Sequence, residues 1–214
     1  MSAIAPAILA ETPDDYKIQV ERVHPFAERV HVDICDGEFA PTFTVGAAQI
    51  WWPQEWTVDI HAMVARPSEH LETLISLKPH MIIFHVEVGE DIVPVLQHIK
   101  KFDIKAGLAL LRSTVPNTVA PAIQEADHVM IFSGELGKYG GTASLMQLEK
   151  VRLIRLIHPE VEVGWDGGVN IENAFSLSQG GVNVLNVGET LASAQDPASV
   201  YATLVSEINK HGII

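Results

Sequence analysis

VHVDIC, residues 30–35, alternates Val30, Val32 and Ile34 with His31, Asp33 and Cys35. Side chains two apart on a strand share a face, so His31 and Asp33 belong together. The run is too apolar for a strand with one face in water and reads as a parallel strand covered on both sides. Seven other runs have the same character: Ala3–Leu9, Thr57–Val64, His80–Glu87, Lys105–Leu111, His128–Ser133, Val161–Trp165 and Val182–Val187. Stretches of helical period separate them. One starts at Pro67-Ser68-Glu69 and carries Leu71, Leu74 and Ile75 on one stripe. Another spans Leu145–Ile157, with Leu145, Leu148, Val151, Leu153, Ile154 and Ile157 apolar. The last starts at Asp196-Pro197, with proline at a first-turn position. Eight strands, each followed by a helix, predict a closed (β/α)8 TIM barrel over residues 1–214 as one domain. An open doubly wound sheet fits less well, because it rarely needs eight units in so short a chain.

The 214 residues are enough for one barrel with a sizeable core. A formal net charge of −13 argues against nucleic-acid binding, which needs a basic footprint. It leaves room for a small anionic substrate at a locally positive site. The single cysteine, Cys35, forbids an intrachain disulfide. MSAIAPAILAETPDDY at the start has no basic residue and only a short apolar run, so it reads as a first strand and not a signal peptide. No apolar run approaches membrane-spanning length. The expectation is a cytoplasmic protein with no membrane or nucleic-acid partner.

In a barrel of this kind the active site lies at the C-terminal ends of the strands. His31 and Asp33 fall there on the second strand, His61 on the third in VDIHAMV, and Asp166 ends the seventh in VGWDGG. Each sits in or just after an apolar run, where an unpaired charge is expensive. Two imidazoles and two carboxylates converging on one mouth suit a divalent metal, and the two negative ligands neutralise it. Taken singly, each is equally a hydrogen-bonded polar group at a strand end. The sixth loop, SGELGKYGGTAS (133–144), places Gly140 and Gly141 before a helix expected to begin near Ser144, a setting that favours phosphate or serves as a plain turn. It is not a Walker loop, because Tyr139 follows Lys138 and the spacing differs.

HVDICDGEFAPTFTVG (31–46) resembles the HxDxMDGxFVPNxTxG segment of ribulose-phosphate 3-epimerases. The similarity continues through VDIHAMVARPSEHL, IIFHVEV, AGLAL, GKYGGTAS and WDGGVNIEN, from Ala3 to about Leu191. The resemblance implies a ribulose-phosphate-binding barrel and a metal-dependent isomerase of pentose-phosphate carbohydrate metabolism. Its substrate would be a ketose phosphate, ribulose 5-phosphate first, inverted at C3 to xylulose 5-phosphate. Zinc, iron, manganese or cobalt would be held by the equivalents of His31, Asp33, His61 and Asp166 and would act as a Lewis acid on the developing enediolate. Asp33 and Asp166 would be acid and base on opposite faces. Gly140, Gly141, Gly167, Gly168 and Gly188 fall in the segments that resemble the family's substrate and phosphate-binding turns. The family tends to form homo-oligomers, and His85 and Glu87 match its FHxE segment as supporting groups.

Several residues depart from that pattern. Ala7 replaces a serine, Cys35 a methionine and Ala62 a leucine, and Gly164-Trp165 stands for Glu-Val. LGKYGG replaces PGFGGQ, and Glu189 follows Gly188 where the family carries serine against phosphate. A carboxylate there repels a phosphate, and even as an N-terminal carboxylate of the following helix it occupies the space where phosphate should bind. Lys138 and Arg112 are the cations expected to compensate by reaching phosphate or pairing with Glu189, or else they are solvated rim charges. The departures leave an alternative, a catalytically altered or inactive metal-binding barrel that takes another sugar or partner. Decarboxylase and aldolase barrels use Asp-x-Lys-x-x-Asp on a strand end, and HVDICDG has no lysine. Cys35 is expected in the core. Trp51, Trp52 and Trp56 are expected to form one packing patch over a short second helix, or a subunit contact if exposed.

Overall fold

The structure is a computed structural model that describes residues 2–210. Of the expected span 1–214, residues 1 and 211–214 lie outside those described. The chain runs β1 (Ala3–Ile8), α1 (Pro13–Val23), β2 (Arg29–Cys35), β3 (Thr57–Met63), α2 (Pro67–Ser76), β4 (Met81–His85), α3 (Ile92–Lys100) and β5 (Lys105–Leu110). It continues through α4 (Ala120–Glu125), β6 (His128–Phe132), α5 (Glu149–Ile157), β7 (Glu162–Asp166), α6 (Ile171–Gln179), β8 (Val184–Val187), α7 (Glu189–Ala192) and α8 (Pro197–Ile208). All eight strands are parallel to their neighbours, and β8 returns to pair with β1, which closes the barrel. The expected strands agree with these to within two residues at either end.

The helices start where the sequence provides a cap. Thr12 accepts the Asp15 N–H before Pro13 opens α1. Asn170 and Asn173 exchange side-chain and backbone hydrogen bonds at the start of α6, and Asp196 caps α8. The outward faces of the strands bury Val30, Val32, Ile60, Ile82, Leu108 and Trp165 against the helices in one continuous core. Each such side chain contributes about 1.5–3 kcal/mol on leaving water. A second, smaller cluster of Met81, Ile83, Ala109, Met130 and Phe132 fills the barrel interior. Successive residues alternate in facing, and the inward positions left over include the buried polar residues His31, Asp33, His61, His85 and Asp166.

The structure corrects three expectations. β2 is not followed by a helix, and residues 36–56 contain none. Asp36 turns the chain by accepting the Glu38 and Phe39 N–H groups, and Pro41, Gly46 and Pro53 interrupt any helical period. The three tryptophans do not form one patch: Trp56 is buried edge-on against His24, while Trp51 is 47% exposed beside Tyr16. Finally, the first turn expected in Leu145–Ile157 is a 3-10 turn over Leu145–Leu148, with Met146 87% exposed. The helix proper starts at Glu149, where buried Val151 and Ile154 give it a face to pack.

Candidate active site and metal centre

In-register pairing of β2 with β3 sets Asp33 beside His61. Asp166, the last residue of β7, reaches the same point from across the mouth. One ligand atom from each of His31, Asp33, His61 and Asp166 lies within 4.8 Å of all the others. His61 Nδ1 is 2.8 Å from Asp33 Oδ1 and 3.8 Å from Asp166 Oδ2. His31 Nε2 is 3.3 Å from Asp33 Oδ1 and 3.7 Å from Asp166 Oδ2. Both ring nitrogens of His31 are buried, and neither makes a hydrogen bond among the described residues. An imidazole stripped of water and left unpaired is costly, and a cation at the centre of the four would take its free lone pair. The donor set of two imidazoles and two carboxylates therefore fits a divalent ion.

The two carboxylates differ in environment. Burial would raise Asp33, but His31 and His61 outweigh it and hold the carboxyl well below the usual range. Burial raises Asp166, the neighbouring charge of Asp33 adds to this, and His31 and His61 oppose it without prevailing. Burial likewise opposes protonation of His31, yet Asp33 and Asp166 raise it.

Behind the cluster runs a chain of buried contacts. His61 Nε2 is 2.9 Å from His85 Nε2, and His85 Nδ1 is 3.3 Å from Glu87 Oε2. Glu87 in turn accepts the Leu111 N–H at 2.8 Å and the Thr114 hydroxyl. Gly164, one of the departures, has a cause here, because a Cβ at this position would collide with His128 Nε2. Trp165 then points outward into the helix-facing core and donates its indole N–H to the Gly167 carbonyl.

One pocket opens over the cluster. Asp33 and Asp166 line it together with Gly140, Gly141, Gly167, Gly168, Gly188, Glu189 and Lys138. Gly167 has φ +100, and its Cα abuts Gly134 so closely that no side chain fits, which brings the sixth and seventh loops together. Arg112 does not line the pocket. Its Nη2 donates to the Ser133 and Thr142 carbonyls and so ties the end of β5 to the sixth loop. Lys138 lines the rim and pairs with Glu135 at 3.1 Å, not with Glu189. The helix expected at Ser144 is replaced by the 3-10 turn, so the sixth loop has no long helix dipole behind it.

Cys35 is buried beside Met63 and Ala40, outside the four-residue cluster. Tyr139 and Asn186 also line the pocket. In sequence Tyr139 only breaks a Walker pattern, but in the structure its hydroxyl accepts the Leu9 N–H and lies within bonding distance of the Ala7 carbonyl and the Gln19 amide oxygen. For Asn186 the available signal was an amide inside an apolar strand; it is 2% exposed, and its Oδ1 has no partner.

Residues 3–192 match the ribulose-phosphate 3 epimerase family. Relatives named ribulose-phosphate 3-epimerase include a Helicobacter pylori protein 30% identical over 90% of this chain and 92% of its own. The Schizosaccharomyces pombe protein of that name is 26% identical over 97% and 94%. A cytoplasmic isoform from rice is 29% identical over 94% and 92%. Among solved structures, 3-hexulose-6-phosphate synthase from Salmonella typhimurium superimposes with a TM-score of 0.72 at 12% identity over 97% of this chain and 98% of its own. KGPDC from Streptococcus mutans does so at 0.73 and 11% over 97% of each. At such identities these two structures speak for the fold alone.

Proposed function

The chain belongs to the ribulose-phosphate 3-epimerase family of isomerases, and from that premise we propose that it inverts the C3 centre of a ketose by two-carboxylate acid/base chemistry. Ribulose 5-phosphate is the first substrate to try, because the family and its named relatives point to it. The observation that carries the reading is the convergence of His31, Asp33, His61 and Asp166, with one carboxylate from each side of the mouth.

The carbonyl at C2 makes the C3 proton acidic. One carboxylate takes that proton from one face of C3. The electron pair is delocalised towards the C2 oxygen, and the other carboxyl returns a proton to the opposite face. In the reverse direction Asp33 and Asp166 exchange roles. A divalent ion held by the four side chains would supply Lewis-acid stabilisation of the negative charge that develops on the substrate oxygens. His31 and His61 orient the two carboxylates, and the apolar side chains of Met63 and Phe132 at the pocket floor exclude water. A homo-oligomeric state and a cytoplasmic location belong to the same proposal and rest on likeness to the family.

The test is to measure metal content and then follow loss of the C3 proton signal in deuterated water for a panel of ketoses and their phosphates. Exchange that needs the metal is expected. Stoichiometric metal with no exchange on any ketose would instead favour a barrel that binds and does not catalyse.

A further inference from the structure

The end of the pocket beyond the two aspartates has a chemistry of its own. Glu189, the first residue of α7, lies so close to Gly140 that a Cβ there would stand 2.5 Å from its Oε2. Gly140 has φ +94, which lets the sixth loop pass under the carboxylate without a side chain. Among the described residues no cation pairs with that carboxylate. Arg112 is bound to carbonyls of the sixth loop. Lys138 is bound to Glu135. Lys150 donates to the Leu111 and Arg112 carbonyls at 2.7 and 3.0 Å. Tyr139 stands against the residue before Glu189: a Cβ on Gly188 would touch its ring at 2.5 Å. Its hydroxyl is committed to the end of β1.

Two side-chain groups on this lining are acceptors with no donor among the described residues, the Glu189 carboxylate and the buried Oδ1 of Asn186. A phosphate dianion is itself all acceptors and carries like charge. A hydroxyl brings the donor that both groups lack. Backbone N–H groups of the glycine turns favour an anionic oxygen, so selection against phosphate falls to the Glu189 carboxylate. We propose that Glu189, a solvent-exposed carboxylate on the pocket lining, makes this end of the pocket a subsite for an uncharged, hydroxyl-bearing end of the ketose and selects it over a phosphate monoester. The inference rests on the C3-epimerase reading and narrows its substrate class.

The experiment compares kcat/KM for C3 proton exchange on D-ribulose and on D-ribulose 5-phosphate, using metal-loaded parent, Glu189→Gln and Glu189→Ser proteins. Glutamine keeps the size and removes the charge; serine removes both. The parent is expected to favour the unphosphorylated sugar, and each variant to move the ratio towards the phosphate by roughly ten- to thirty-fold. A parent that favours the phosphate, with a ratio that neither variant moves, overturns the subsite. If no protein exchanges either sugar, the epimerase reading has failed, and equilibrium dialysis of inorganic phosphate decides the subsite by itself. Phosphate bound by Glu189→Ser and not by the parent upholds it, and equal binding to both, or to neither, overturns it.

Discussion

The Nε2 atoms of His61 and His85 lie 2.9 Å apart between two fully buried rings. Only one of them can hold the proton of that contact. For His61 to present the lone pair of Nδ1 to a cation, its proton must reside on Nε2, which then donates to His85. His85 keeps its own proton on Nδ1 and donates to Glu87. Burial, with Glu87 opposing, drives the His85 imidazole down to about 4, so it is neutral and able to accept. The chain from Glu87 thereby fixes, through His85, the tautomer of a candidate ligand 24 residues before His85.

Replacing His85 with phenylalanine tests this, because the ring still packs against Phe39 and Phe132 but accepts nothing. Metal affinity measured by competition with a chelator should fall about 10–100-fold, with the far-ultraviolet circular dichroism unchanged. Unaltered affinity would show that the contact does not orient His61.

Asp33→Asn and Asp166→Asn should each lower interconversion by at least about 10²–10⁴-fold, the usual contribution of an acid/base group. Their effects on folding should differ. In metal-free protein Asp166→Asn should unfold at the same temperature as the parent or higher, since burial and Asp33 both disfavour its charge. Asp33→Asn should unfold lower, since it removes the charge that His31 and His61 favour. Retained turnover in either variant removes that residue from the proposed reaction.

At the opposite end of the barrel Arg29 holds three strands together. Its Nε is 2.6 Å from Asp59, and its two terminal nitrogens are 2.9 and 2.8 Å from Glu162, which also meets His128 Nδ1 at 2.7 Å. Burial alone would raise Glu162, but Arg29 and His128 hold it far below its ordinary 4.5. A carboxylate depressed in the folded state stabilises fully above its unfolded value and loses that contribution as the pH falls. Unfolding free energy should therefore decline as the pH drops below 4.5. The decline should be shallower in Glu162→Gln, checked by urea titrations between about pH 3 and about pH 7. Arg29→Met leaves Asp59 buried without its partner and should cost about 3–5 kcal/mol. Parallel pH profiles for parent and Glu162→Gln would refute the assignment.

Tyr139→Phe removes the acceptor for the Leu9 N–H and the tie between the sixth loop and β1. An unmet buried donor costs about 1–3 kcal/mol. Hydrogen exchange should accelerate at Leu9 and across residues 134–142 while β4 and β5 stay protected. Exchange at parental rates would mean that the hydroxyl does not anchor the loop.

The strands, the closed order and the four converging heads were legible in the sequence for a local reason. Runs such as VHVDIC carry their own alternation, and a polar residue inside one has no inexpensive place except the barrel interior. His85 and Glu87 were expected as supporting groups through the family resemblance alone. The loop side chains were not. Arg112 and Lys138 were expected to compensate for Glu189, but the three-dimensional structure gives Arg112 a pair of carbonyls and Lys138 a carboxylate three residues away. Tyr139 found its partners 120 to 132 residues away. The missing second helix had the same origin, since the contacts of Asp36 and not a periodicity shape residues 36–56. Hydrophobic alternation is a property of neighbours along the chain, so sequence alone determines it. A surface cation or hydroxyl goes to whichever unmet acceptor folding brings within about 3 Å, and only the tertiary structure decides which that is.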